Sequence, residues 1–156
     1  MMAQQERIVT GGVDTHLEVH VAAVVDEVGR VLETKPFPAT RRGYRQLHCW
    51  MRSFGSIDKI GVEGTGSYGA GLTRFLQEHG MDVIEVNRPN RQARRRRGKS
   101  DAADAEAAAR AALNGEASAA PKAGTGDVES IRMLRLARRS ALKARTQAGN
   151  QIHNLI

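Results

Sequence analysis

Three β-rich segments crowd into the first 38 residues, and the links between them are too short for a parallel crossover. Residues 7–15 (RIVTGGVDT) and 18–26 (EVHVAAVVD) are rich in Val and Thr, and residues 30–37 (RVLETKPF) follow after Glu27-Val28-Gly29. Such composition fits a pleated, half-buried strand, and the short Gly-containing link fits a hairpin turn. A parallel return needs a dozen or more residues. The chain is therefore expected to begin as three antiparallel strands.

The pattern then changes. Pro38 ends the third strand, and Thr40 is placed to cap a helix over 41–54, with Tyr44, Leu47, Trp50 and Met51 at helical spacing. A fourth strand is read at 57–63 (IDKIGVE), followed by the turn GTGSYG, a helix over 68–79 ended by Gly80, and a fifth strand at 81–87. Ser100 can cap an Ala-rich helix over 101–113, residues 114–126 read as a Gly/Ala/Pro linker, and Asp127 can cap a last helix running to the chain end. The expected fold class is α/β, with a mixed five-stranded sheet and flanking helices. The expected division is 1–113, a linker 114–126, and a helical region from 127 to 156. In this order the first and fourth strands are sheet neighbours.

Composition limits the rest. Aromatic residues are 4% of the chain, so a core must rest on Val, Ile, Leu and Ala. Tyr44, Trp50 and Phe54 are read as core. Cys49 is the single cysteine, which rules out an internal disulfide; it is read as buried filler in the first helix. There is no apolar run of membrane-spanning length and no signal-like N-terminus, so a cytoplasmic chain with no membrane partner is expected. His16 and His20 are read as ordinary surface or core residues, not as a zinc pair.

Charge is unevenly spread. Residues 1–87 hold 9 Lys/Arg against 11 Asp/Glu, whereas residues 88–156 hold 15 against 6. The whole basic excess lies in the second half, which points to a polyanionic partner, DNA or RNA. One cluster is Arg88, Arg91, Arg94, Arg95, Arg96, Arg97 and Lys99; a second is Arg132, Arg135, Arg138, Arg139, Lys143 and Arg145 on the last helix. That helix also carries a broken apolar stripe (Ile131, Leu134, Ala141, Leu142, Ala148, Ile152, Leu155), which needs a partner: the domain, another copy, or further sequence.

Four acidic residues stand out. Asp14 ends the first strand and Glu63 ends its expected neighbour, while Asp101 and Asp104 are three apart and share a helix face. Four converging carboxylates repel one another. A hard divalent cation relieves that repulsion; Mg²⁺ prefers oxygen ligands, and two ions can stabilise both the attacking and leaving oxygens of a phosphodiester displacement. The candidate catalytic and metal-binding set is thus Asp14, Glu63, Asp101 and Asp104, with two Mg²⁺ ions, or Mn²⁺ in their place. Taken singly, each residue also has an ordinary role, Asp101 and Asp104 as charges favourable to a helix dipole.

The segments GVDTH, VEGTGSYG, VNRPNRQARR and GKSDAADA, with the tail IRMLRLARRSALKARTQAGNQIHNLI, resemble the insertion-sequence-110 family of transposases. These are DEDD recombinases guided by a bridge RNA. The resemblance spans nearly the whole chain. Its specific part is the Glu-plus-glycines segment together with Lys-Ser-Asp-x-x-Asp-Ala. It implies a RuvC-like domain of the ribonuclease H fold and a Mg²⁺-dependent DNA recombinase that moves an insertion sequence. It also implies a coiled-coil tail that binds RNA and assembles a homo-oligomer, dimer or tetramer. In the family a separate C-terminal domain supplies a nucleophilic serine. That domain is expected beyond Ile156, so these residues alone are expected not to complete strand exchange.

Two other readings compete. Gly64-Thr65-Gly66-Ser67-Tyr68-Gly69 is a full G-x-G-x-x-G between a strand and a helix, with Glu85 near the next strand's end and Arg88 suited to a 2′-phosphate, as in an NAD(P)-binding domain. Against it stand the preceding antiparallel unit, the lack of later β-α units, and Glu63 directly before Gly64, where a pyrophosphate would sit. An acetate and sugar kinase-like domain shares the topology but needs a Gly/Thr-rich loop after Asp14 and a second lobe. The alternative from another class is a non-catalytic RNA- or DNA-binding module.

Overall fold

In the computed structural model, which describes residues 7–86, 100–121 and 126–154, the expected strands form one five-stranded sheet. The strands are β1 (Ile8–Asp14), β2 (Val19–Val25), β3 (Val31–Pro38), β4 (Ser56–Glu63) and β5 (Val83–Val86). Their order across the sheet is β3-β2-β1-β4-β5. β1, β2 and β3 are antiparallel neighbours, and β4 and β5 join in parallel. The hairpin between β2 and β3 closes on Asp26, whose Oδ1 accepts the N–H groups of Val28 and Arg30. Gly29 takes the left-handed conformation there, φ 78°, which a side chain disfavours.

Two helices cover one face. α1 (Arg41–Arg52) starts at Thr40, whose side chain accepts the Gly43 N–H at 3.1 Å. α2 (Ala70–Glu78) begins after the glycine turn, two residues later than its sequence pattern indicates. Between them and the sheet lie Val9, Val13, Leu47, Met51, Ile60, Val62, Leu72 and Leu76, all essentially buried. Full burial of such a side chain contributes roughly 1.5–3 kcal/mol. Tyr44, Trp50 and Phe54 pack against this core, as their spacing indicates. Cys49 does not: it is exposed. α1 turns Leu47, His48 and Met51 inward, and residue 49 falls about 200° around the helix from residue 47.

The other face carries α3 (Asp101–Leu113). A Cβ on Gly12 would lie 2.2 Å from both the Ala105 carbonyl oxygen and the Ala109 nitrogen, and one on Gly61 would lie 2.5 Å from the Ala108 carbonyl oxygen. Helix backbone touches strand backbone here, which only glycine on the strands permits. The helix contributes Ala105, Ala108, Ala109 and Ala112 to the contact, all buried. This contact explains why positions 105, 108, 109 and 112 are alanine: larger residues there would push the helix off the sheet.

After α3 the chain returns to the sheet edge, where the Glu85 N–H donates to the Ala119 carbonyl at 2.8 Å. Met1–Lys122 form one compact unit and Ala123–Ile156 a second. The second contains α4 (Asp127–His153), shorter than the helix to the chain end read from sequence. Ile131, Met133, Leu134, Leu136, Leu142 and Ile152 on α4 are all exposed. Among the described residues no helix is long and apolar enough to cross a membrane.

Candidate metal centre

Side chains two apart on a strand share a face. Gly12 and Asp14 therefore look to the same side of the sheet, and so do Gly61 and Glu63. That side is the one α3 covers. The glycines let the helix backbone down onto the strands, and the carboxylates two residues further on meet its N-terminal turn. β1 and β4 run parallel with Val13 opposite Val62, so their ends lie side by side. Thr15 ties those ends together: its hydroxyl donates to the Glu63 carbonyl at 2.7 Å.

Asp14 and Glu63 are buried, 3% and 6% exposed. Asp101 and Asp104 occupy the first turn of α3, behind the Ser100 cap, whose Oγ accepts the Ala103 N–H at 3.2 Å. Glu63 and Asp104 line one cleft of about 480 Å³, together with Glu85, Ala107, Ala108 and Ala111. Asp14 and Glu63 line a second, of about 280 Å³, with Thr15, Ser67, Tyr68 and Glu85.

The electrostatics show the crowding. Burial raises the Asp14 carboxyl above its ordinary 3.8; His16 pulls it back down, and the charges of Glu63 and Asp104 push it up again. The net effect is a carboxyl whose charged form is disfavoured by burial and by its acidic neighbours and only partly relieved by His16. Among the described residues, the ligand atoms close enough to share one ion are those of Asp14, His16 and Asp101, of which Asp14 is buried; Glu63 and Asp104 are not in that group, and two carboxylates fit a hard divalent ion.

His16 Nε2 lies 3.0 Å from Asp14 Oδ2 and 3.4 Å from Asp101 Oδ1. One ligand atom from each of Asp14, His16 and Asp101 falls within 4.8 Å of the others. His16 thus stands beside two of the four acidic residues. His20 is fully buried on β2, and its Nδ1 accepts the His16 backbone N–H at 3.3 Å. Burial holds its pKa down at about 4.

In the sequence Tyr68 stands out only as part of the glycine turn. Phe37 and Phe75 are buried, Tyr44, Trp50 and Phe54 are partly buried against the core, and Tyr68 alone among these rings is exposed, at 55%. Gly64, at φ 72°, is a turn glycine; Gly66 has open space around its missing Cβ.

The basic residues divide in two. Arg88, Arg91, Arg94, Arg95, Arg96, Arg97 and Lys99 lie outside the described residues. Arg132, Arg135, Arg138, Arg139, Lys143 and Arg145 are exposed on α4. Arg132 is engaged by Glu129, with Nε donating at 2.8 Å and Nη2 at 2.5 Å, which raises its pKa.

An antiparallel β1-β2-β3 unit feeding two parallel strands, with acidic residues at the ends of β1 and β4 facing the third helix, is the arrangement of a ribonuclease H-like domain. It differs from the all-parallel sheet that a dinucleotide-binding G-x-G-x-x-G opens. A search of curated proteins finds no match. The family model of the DEDD transposases of insertion sequence 110, described as a transposase, matches residues 11–156. The chain belongs to that family of insertion-sequence transposases, with the RuvC-like part folded around the cleft of Asp14 and Glu63.

Proposed function

We propose that this chain is the metal-binding half of a composite DNA recombinase, with Asp14, Glu63, Asp101 and Asp104 as its catalytic carboxylates. The observation that carries the reading is Asp14: it is buried, its carboxyl is raised by burial, and Glu63 and Asp104 add their charges to the same place. Membership in a transposase family supports DNA as the substrate class.

Mg²⁺ ions bound there, two by the carboxylate number, with Mn²⁺ as a substitute, would stabilise the charge that develops on a phosphodiester under attack. The chain's own part is to hold and orient. Asp14 and Glu63 come from rigid strand ends joined by the Thr15 hydrogen bond, so their spacing is fixed by the sheet. Asp101 and Asp104 are fixed by the docking of α3. Ala107, Ala108 and Ala111 give the neighbouring cleft an apolar wall. Tyr68 offers an aromatic face to a base beside the carboxylates, a contact worth about 1–3 kcal/mol in single-strand binding.

The basic run 88–99 and the exposed cations of α4 hold the phosphates of DNA and of a structured guide RNA. The exposed apolar residues of α4 pair copies of the chain into a dimer or tetramer. The nucleophilic serine comes from a further domain of the transposase, and the residues described here supply the metal centre to it.

The test is a thermal shift. Mg²⁺ or Mn²⁺ should raise the Tm of the wild-type chain and leave Asp14→Asn and Glu63→Gln unmoved, because binding to the folded state alone stabilises it. The 156 residues should bind DNA or RNA and recombine nothing. A Tm indifferent to divalent ions in the wild type would falsify the metal centre, and recombination of a donor–target pair by this chain alone would overturn the composite site. The runner-up, a non-catalytic nucleic-acid-binding module, predicts that Asp14→Asn leaves binding intact or tightens it, with no divalent-ion dependence to lose.

A further inference from the structure

His16 is the polar side chain of this centre that four carboxylates do not need. It follows β1 and is held from behind, its N–H donating to His20 Nδ1 in the buried layer of the sheet. The imidazole beside that anchor has Nε2 3.0 Å from an oxygen of Asp14 and 3.4 Å from an oxygen of Asp101. Ligand atoms at about 2.1 Å from one ion lie about 3.0 Å apart at right angles and about 3.4 Å apart at tetrahedral angles. The 3.0 Å contact is itself a hydrogen bond, and both separations are within the span that two ligands of one ion take, so an ion could replace the shared proton. The trio also draws on two elements, the β1 end and the α3 N-terminus, so an ion there would bridge them.

We infer that His16 is a nitrogen ligand of the divalent ion held by Asp14 and Asp101, and that it shifts the preference of this site from Mg²⁺ towards Mn²⁺. The inference rests on the carboxylate metal centre proposed above. Carboxylate and water suit Mg²⁺ and Mn²⁺ alike, and imidazole suits the later first-row ions most, so the shift rests on the reluctance of Mg²⁺ to exchange a water for a ring nitrogen. Mg²⁺ gains little from a ring nitrogen and loses hydration by accepting one. His20 acts as a positioning residue, fixing the backbone of His16 without touching the ion.

The experiment loads the full chain with Mn²⁺ and records electron spin echo envelope modulation for ¹⁴N coupling, with calorimetric affinities for Mn²⁺ and Mg²⁺ alongside. The wild type should show histidine ¹⁴N coupling. His16→Ala should lose it and bind Mn²⁺ about tenfold or more weakly, since loss of even an outer-shell partner of a metal ligand costs about 10–100-fold. Its Mg²⁺ affinity should fall less. His16→Asp, which exchanges nitrogen for oxygen, should bind without ¹⁴N coupling and favour Mg²⁺, a reversal that a purely structural role cannot produce. His153→Ala should retain the coupling. Persistence of the coupling in folded His16→Ala, or unchanged Mn²⁺ affinity there, overturns the assignment. If the wild type binds Mn²⁺ without ¹⁴N coupling while Asp14→Asn abolishes binding, His16 is not a ligand but the carboxylate centre stands. If no ion binds the wild type, both fail.

Discussion

Gly12 of β1 and Ala109 of α3 touch through their backbones, so closely that a Cβ on Gly12 would sit 2.2 Å from the Ala109 nitrogen. This contact sets the height of α3 above the sheet, and with it the approach of Asp101 to Asp14. Gly12→Ala must lift the helix. Overpacking of this kind costs about 1–3 kcal/mol, occasionally more. The variant should melt lower and lose the Mg²⁺-induced rise in Tm. Gly66→Ala is the control: its Cβ meets nothing within 4 Å, and Gly66 does not adopt positive φ. It should fold and respond to metal as the wild type does. A dinucleotide loop would make the opposite demand, because the second glycine of that motif admits the pyrophosphate. Equal melting of the two variants would remove the backbone-contact argument.

The order of the sheet was legible because short links forbid parallel returns among the first three segments, and Asp14 and Glu63 could be set side by side from that order alone. Their common face was legible too, through period-two alternation with Gly12 and Gly61, once the glycines are read as room for a helix. What stayed hidden was contact between elements. The alanines of 101–113 indicated a helix but not that its backbone presses on β1 and β4. His16 follows the end of β1, and its contacts with Asp14 and Asp101 depend on how that loop meets the helix, which no periodicity in the sequence reports. Cys49 was assigned to the core by residue type, whereas helical periodicity already turned it outward. The match of residues 11–156 to one transposase family bears out the resemblance carried by the acidic and glycine segments.

Asp14 gives a second prediction, with its sign set by linkage. Its folded-state pKa is raised above 3.8, mainly by burial. The folded state therefore holds its proton more tightly, and metal-free stability falls as pH rises through the window from 3.8 to the raised value. At neutral pH the penalty is fully present. Asp14→Asn should remove it and raise the metal-free Tm, by roughly 3 °C for each kcal/mol relieved in a domain of this size. The same variant should gain nothing from Mg²⁺. Calorimetric melting with and without chelator reads both effects; a lower metal-free Tm in Asp14→Asn would mean that the carboxylate is already well compensated.

His20 acts in the opposite direction. Its pKa is lowered from 6.5 to about 4 by burial, and His16 adds to the shift. The unfolded chain takes up this proton first as pH falls. Stability is full above about 6.5 and is lost progressively down to about 4, by at most about 3 kcal/mol. His20→Asn keeps an acceptor near the position of Nδ1 but cannot titrate. Between pH 6.5 and 4 its Tm should fall less steeply than that of the wild type, with His48, also lowered by burial, supplying part of the remaining slope. Parallel Tm profiles for the two proteins would count against a buried neutral His20.

The cations of α4 should not contribute equally to nucleic-acid binding. Arg132 is held by both carboxylate oxygens of Glu129, and its charge is already matched. Arg135 and Arg139 carry no such bidentate partner among the described contacts and are exposed. Each phosphate contact that disappears should flatten the dependence of log K on log salt by about 0.9 for duplex DNA. Arg135→Ala or Arg139→Ala should each approach that change, whereas Arg132→Ala should weaken binding less and leave the slope nearly unaltered. Glu129→Gln supplies the converse: it frees the Arg132 guanidinium for phosphate and should tighten binding at low salt and steepen the slope. Fluorescence anisotropy over a salt series distinguishes the cases. A flat response of all four variants would place the phosphate contacts away from α4, on the basic run 88–99.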